Sequence, residues 1–251
     1  MNMKHILFLL ITLLTLSSTS ATAKSLQERA EEAYAKEHYE EALQLYTQLL
    51  GGNESANIFY NMGNCYYRMD SIHRAVLYYE KALLLSPADE EIRFNLEMAR
   101  AKTTDRITPQ GEMFFVTWSR GLCNLMSEHA WAVTAIVCFL LFLVGVALVI
   151  LLPDSLYHRI GFYTAIVTFI LCVVANVFAY QQKSHLDNRD TAIIMVPTVK
   201  VRSTPSSTGT ELFVIHSGTK VFIEDETSQW YGIHLSDGKN GWIEKSDVEK
   251  I

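Results

Sequence analysis

Few side chains here are placed to make or break bonds. The four cysteines are Cys65, Cys123, Cys138 and Cys172. Their spacing fits no metal-ligand pattern and no secreted disulfide framework. Cys138 and Cys172 fall inside long apolar runs, where burial raises a thiol pKa and lowers its reactivity, so a redox switch built from them is not expected. The paired acids Glu31-Glu32 and Glu40-Glu41 read as solvated helix charges. His38 and His73 read as solvated polar residues at helix junctions. The chain has no phosphate loop, no H-E-x-x-H and no G-x-S-x-G. No catalysis, metal or cofactor is therefore expected. The chemistry that remains is binding: amides and a guanidinium between Asn61 and Arg68, and the aromatics Trp230, Tyr231 and Trp242.

The elements that position these groups are arranged around a double hydrophobic run. The chain has 251 residues, a net charge of −6 and 49% hydrophobic residues. Nothing is strongly basic, so a nucleic-acid partner is not expected. Ala132 to Leu152 carries no charge, nor does Ile160 to Tyr180. Each run is apolar all round and long enough to cross a bilayer, which needs ~20 apolar residues. The spans are expected over 131–152 and 160–180. The short link between them forces an antiparallel hairpin with both outer ends on one side of the membrane. A soluble module before the hairpin and another after it then face one compartment.

In the second span Gly161, Ala165, Thr168, Cys172, Ala175 and Ala179 form a seam of small residues, which permits close helix approach. Ala135, Cys138, Phe142, Gly145 and Val149 form a bulkier counterpart. Cys138 and Cys172 lie 18 and 16 residues from Leu156. At ~1.5 Å per residue they are expected within ~3 Å of the same depth, as neighbours across the pair.

Met1 to Ala23 reads as a secretory signal, with Lys4 and His5 before the apolar core Ile6–Leu16 and Ala21-Thr22-Ala23 as the cleavage site; the alternative is an uncleaved anchor, and either exports the next segment. Residues 24–105 then show helical periodicity, interrupted at Gly51-Gly52-Asn53 and at Ser86-Pro87. Ala42 and Ala75 occupy matching places, with Tyr46 and Tyr79 four residues after them. Paired helices repeating at about 34 residues are the tetratricopeptide period. Phe59, Met62, Gly63, Tyr66, Ala75, Tyr79, Ala82 and Pro87 resemble that family's signature. Leu26 to Leu50 matches it less well, with Glu37 where a turn glycine is usual. Asp89 to Lys102 resembles a first helix without its partner, burying Ile92, Leu96 and Ala99 as a cap. In that family the first helix of each repeat lines a concave groove. The resemblance thus implies a partner-binding groove of Tyr60, Asn61, Asn64, Tyr67, Arg68, Phe94 and Asn95. Asparagine amides can hydrogen-bond a peptide backbone, and arginine can pair a carboxylate.

Residues 106–130 are expected to link the repeats to the membrane. Met113, Phe114, Phe115, Trp118, Leu122, Leu125 and Met126 make an apolar stripe at helical spacing. That helix lies either in the membrane interface or on the repeats. The positive-inside bias is indecisive, and the signal sequence instead places both soluble modules outside the cytoplasm.

From 190 to 251 the period changes to two, with short strands between Gly, Asp, Asn and Pro turns. A small all-β barrel follows. Val201-Arg202-Ser203-Thr204-Pro205, Trp230-Tyr231 and Asp237-Gly238-Lys239-Asn240-Gly241-Trp242-Ile243 resemble the bacterial SH3 family. That resemblance implies a ligand module, with a cell-wall peptide among its ligands; Trp230, Tyr231 and Trp242 are the candidate surface.

The fold class expected is thus a multidomain membrane protein: an all-α tetratricopeptide solenoid, a two-helix transmembrane hairpin and an SH3-like barrel. This order resembles the BatE-type proteins of the bacterial aerotolerance operon. It implies an inner-membrane location with both domains periplasmic, and partners carrying von Willebrand A-type domains alongside a MoxR-type ATPase. The expected function is a membrane-anchored interaction scaffold. The alternative is an envelope or cell-wall ligand sensor acting through the SH3-like domain and a membrane partner.

Overall fold

The structure is a computed structural model and describes residues 26–251 apart from 53, 112, 154 and 155. The expected signal sequence over 1–23 lies outside the described residues, as do Asn53 of the first interruption, Glu112 of the expected linker, and Asp154 and Ser155 of the hairpin loop.

Five helices come first: α1 over 26–35, α2 (Tyr39–Leu50), α3 (Ala56–Arg68), α4 (Ile72–Leu85) and α5 (Glu90–Arg100). Small residues sit where the helices cross. Ala30, Ala42, Ala75 and Ala82 are fully buried. At Gly63 an added Cβ would stand 2.6 Å from the Tyr79 ring, so glycine sets the α3–α4 distance. The α1–α2 and α3–α4 turns use the same backbone device. Glu37 and Asp70 hold φ at 63° and 59°, the left-handed region in which glycine is strain-free. Asp89 caps α5 by accepting from the amides of Glu91 and Ile92.

Seven strands end the chain's described elements: β1 (Thr191–Ile194), β2 (Thr198–Arg202), β3 (Glu211–His216), β4 (Lys220–Glu226), β5 (Trp230–His234), β6 (Asn240–Glu244) and β7 (Val248–Lys250). Every ladder is antiparallel, and the sheet order is β3-β2-β6-β5-β4-β1-β7. No ladder joins the edge strands β3 and β7 among the described residues, so the expected barrel takes the form of an open sheet. Its core gathers Ala192, Ile194, Val201, Val221, Ile233 and Ile243. Strand β7 has no sequence signature, because Val248-Glu249-Lys250 is short and polar. Its place is set by pairing with β1, Ile194 opposite Val248.

Strand β1 is buried on both faces. Ala192 and Ile194 enter the sheet core, while Ile193 between them enters a second cluster. The two-residue period of a strand makes this alternation obligatory. The second cluster comprises Ala75, Val76, Leu77 and Tyr79 of α4, Leu96 and Ala99 of α5, and Ile193 and Ile251 of the sheet. The sheet thus fills the place of the helix that α5 lacks. A solenoid end with an apolar face needs such a cap.

Polar contacts rim this junction. Buried Glu80 on α4 pairs with Lys220 at 2.8 Å and with Arg100 on α5. Lys81 meets Glu249 at 2.8 Å. Asp105, just after α5, accepts from the His216 amide at 2.6 Å and the Thr219 hydroxyl at 2.8 Å, and pairs with His216 Nδ1 at 2.8 Å. Ile107 packs on the sheet core. The Gln110 amide and side chain donate to the carbonyls of Ser236 and Asp237. The start of the expected linker therefore lies along the sheet as a strap.

Two helices are long and apolar enough to cross a membrane: α7 (Glu128–Leu151) and α8 (Leu156–Asn188). Only 17% of the most apolar window of each is buried within the chain, far from the mostly buried state of a soluble core helix. They pack along their length through small residues. A Cβ on Gly145 would lie 2.9 Å from backbone atoms of Gly161 and Ala165, and one on Gly161 would lie 2.7 Å from the Gly145 carbonyl. A short helix, α6 (Phe114–Cys123), precedes the pair.

Candidate partner-binding surfaces

The first helices of the three helical units, α1, α3 and α5, form a row joined by polar side chains. Asn95 Nδ2 donates to Tyr60 Oη at 2.8 Å and to Asn64 Oδ1 at 3.1 Å. Tyr79 Oη donates to the same Asn64 oxygen at 2.7 Å. Asn64 and Asn95 thus tie α3, α4 and α5 together as well as lining the row. Arg68 stands beside Tyr39 and Tyr34, which favour its charged form and raise its pKa. Lys102 Nζ lies 4.2 Å from the centre of the Tyr67 ring, a cation–π contact. Asn61 is half-buried, and Phe94 is 63% exposed.

The seven expected groove residues therefore differ in availability. Phe94 and Arg68 are exposed and Asn61 is half-buried, whereas Asn64, Asn95 and Tyr60 are engaged with one another. The row also includes Tyr34, Met98 and Lys102, which the groove expectation missed. Met98 and Lys102 follow Phe94 at four-residue steps, a helical spacing that could have revealed them. Cys65 behind this row is no nucleophile, since burial pushes its thiol up to about 12.

On the sheet, the three expected aromatics fall in different places. Tyr231 is buried in the core, with Lys245 and Lys250 at 4.8 and 5.0 Å from its ring centre. Trp242 is half-buried over Gly232, where an added Cβ would meet its ring at 3.3 Å. Trp230 is buried but lines a polar cleft of about 670 Å³. Pro205, Ser206, Gln229, Lys245 and Ser246 line it too. Its hydroxyls, amide and ammonium suit a polar ligand. Ser206 and Ser207 read in the sequence only as a turn.

Comparison with known proteins bears on both surfaces. Residues 12–86 match the family model described as tetratricopeptide repeat, and residues 197–249 match that described as bacterial SH3 domain. The chain carries tetratricopeptide repeats and a bacterial SH3 domain. Such modules are protein-interaction units and not typical of enzymes. Among solved structures, the Arabidopsis OM64 TPR domain aligns at 13% identity and TM-score 0.31, covering 66% of this chain and 97% of that one. The Sgt2 TPR domain from Aspergillus fumigatus aligns at 17% identity and TM-score 0.30, covering 62% and 82%. No curated protein matches the chain.

In the paired helices, Cys138, Gly145, Gly161, Ala165, Thr168 and Ala175 are buried, and Cys172 and Ala179 half-buried. Cys172 Sγ lies 3.5 Å from the Ala135 carbonyl, one helical turn from Cys138. This surface is occupied within the chain, so its role is packing.

Proposed function

We propose that the chain is a membrane-anchored scaffold. The helices α7 and α8 anchor it, and the repeat groove and SH3 domain hold protein partners outside the cytoplasm, with the signal-like N-terminus and the bacterial SH3 domain as support. The order of modules resembles the BatE-type proteins, so the reading extends to an inner-membrane complex with von Willebrand A-type proteins in envelope stress tolerance. The observation that carries the scaffold reading is the division of the repeat surface. The sheet covers α4 and the outer end of α5, while Phe94 and Arg68 on the row of first helices remain exposed.

The test is in-membrane crosslinking and co-purification, comparing wild type with Asn61→Ala/Arg68→Ala/Phe94→Ala at equal expression. Asn64 and Asn95 are left intact because their amides hold helices together. Loss of a discrete membrane-protein partner in the variant is the expected result. Unchanged capture would move the working surface away from the groove. In the SH3 domain, the cleft beside Trp230 is the proposed contact for a polar ligand, with a cell-wall peptide as the first to try. Ser206→Trp would fill the cleft and abolish retention on purified cell wall if that assignment holds; unaltered retention would remove it.

One feature favours a sensor as the second reading. Helix α8 passes into β1 with only Arg189 and Asp190 between them, so a ligand-driven shift of the sheet would reach the membrane. Spin labels on the membrane-facing side of α8 that do not respond to cell-wall peptide would exclude that reading.

A further inference from the structure

Helix α6 is docked by one side only. Cys123 Sγ lies 3.7 Å from the Phe178 carbonyl on α8. The Cys123 carbonyl accepts from Trp131 Nε1 of α7 and from Gln182 Nε2 of α8, each at 2.8 Å. Gln182, buried, also donates to the Met126 carbonyl at 2.8 Å. These bonds place the end of α6 at the level of Trp131, Phe178 and Gln182, the outer ends of the two uncharged runs.

The opposite side of α6 is aromatic and bare. At 100° per residue, Phe114 and Trp118 stand within about 40° of each other and roughly 140–180° from Cys123. Phe114 is 85% exposed and Trp118 68% exposed. Phe115 and Leu125 are exposed beside them. The remaining face carries Thr117, Ser119 and Arg120. An amphipathic helix with aromatics on one side, fixed at the end of an apolar pair, matches the geometry of an interfacial helix.

We propose that α6 lies in the plane of the membrane interface, with Phe114 and Trp118 inserted at the boundary between headgroups and acyl chains. The occupant of its aromatic face is lipid. Continuity decides this: the docked end of α6 lies beside Trp131 and Phe178, where the exposed flanks of α7 and α8 end, and among the described residues Phe114, Trp118 and Phe115 stay 85%, 68% and 52% exposed. The inference rests on the hairpin crossing the bilayer.

The test uses the full chain in phosphatidylcholine–phosphatidylglycerol vesicles containing lipids brominated either near the headgroup or deep in the acyl chain. Trp118 emission is isolated as the difference between wild type and Trp118→Tyr. The expected result is a blue-shifted signal lost to shallow bromines, only weakly affected by deep ones, and shielded from aqueous iodide. Quenching by iodide would overturn the proposal, and so would protection from both lipid and water quenchers, which would put protein on that face. A second variant, Leu140→Trp in the Trp118→Tyr background, reports the hairpin separately through deep bromines. If that signal is absent, the membrane-spanning reading itself fails; if it is present and Trp118 is quenched by iodide, only the interfacial placement fails.

Discussion

Gly63 shows how far a single residue constrains the repeats. The Tyr79 ring that an added Cβ would strike is itself buried and held through its hydroxyl by Asn64. Gly63→Ala should therefore cost about 1–3 kcal/mol through overpacking, read as a lower midpoint in urea unfolding. A neutral outcome would mean that α3 and α4 separate easily. The need for a small residue at 63 was legible in the sequence because Gly63 and Ala75 both fall on positions of the tetratricopeptide signature. The Asn64–Asn95–Tyr60 network was not. Their types and positions fit a groove, and only the third dimension reveals that the Asn64 and Asn95 amides face each other. Glu37 is intermediate: it stands where a turn glycine is usual, and its positive φ gives that oddity a physical meaning.

Among the elements, α7 and α8 depend on contact between backbones at Gly145 and Gly161. A valine at 145 would force its side chain into the Ala165 backbone. Gly145→Val should part the helices and reduce bismaleimide crosslinking of Cys138 to Cys172 in intact membranes. If wild type never crosslinks, the expected pairing of the thiols is wrong; if the variant crosslinks equally well, Gly145 is not the closest point. The seam could be read from composition and period alone, since small residues at spacings of three and four define one helix face. The order of strands in the sheet could not. Alternation announces strands, but ladder partners are set by long-range register, and here β7 pairs with β1 through residues with no strand signature.

On the scale of the whole molecule, repeats and SH3 domain share a core, which changes what each contributes to stability. Burial pushes the Glu80 carboxyl up, but Lys220 and Arg100 outweigh burial and hold it below its ordinary 4.5. Burial likewise opposes, and the hydrogen bonds from His216 and Thr219 overcome it, leaving the Asp105 carboxyl below its ordinary 3.8. Both groups are therefore depressed in the folded chain, and the unfolded chain binds more protons at acid pH. Their contribution is complete above the ordinary carboxyl values and is lost as pH falls through the lowered ones. Lys220→Ala leaves Glu80 with Arg100 alone and should cost about 2 kcal/mol, less than the ~3–5 kcal/mol of a fully orphaned buried charge. Wild type should unfold in one thermal transition for the two domains at neutral pH. The variant should show two, as should wild type once the pH falls below the lowered carboxyl values. A single unchanged transition in all three cases would mean that the junction does not couple them. None of this was legible in the sequence. Asp105 and His216 are 111 residues apart, and no periodicity links such a pair.

The passage from α8 to β1 has a mechanical consequence. Arg189 holds Glu54 of the repeats at 2.5 Å, and the Asp190 carbonyl accepts from Ile223 at 2.6 Å, so the two residues between helix and strand leave no slack. The helix acts as a crankshaft and the joined domains as its crank. One residue added or removed between Gln181 and Asn188 would swing the domains through about 100° and change their height by ~1.5 Å. With α8 crossing the bilayer as proposed, helical phase would set the compass bearing of the row of first helices, and partners anchored in the same bilayer would meet it from one azimuth.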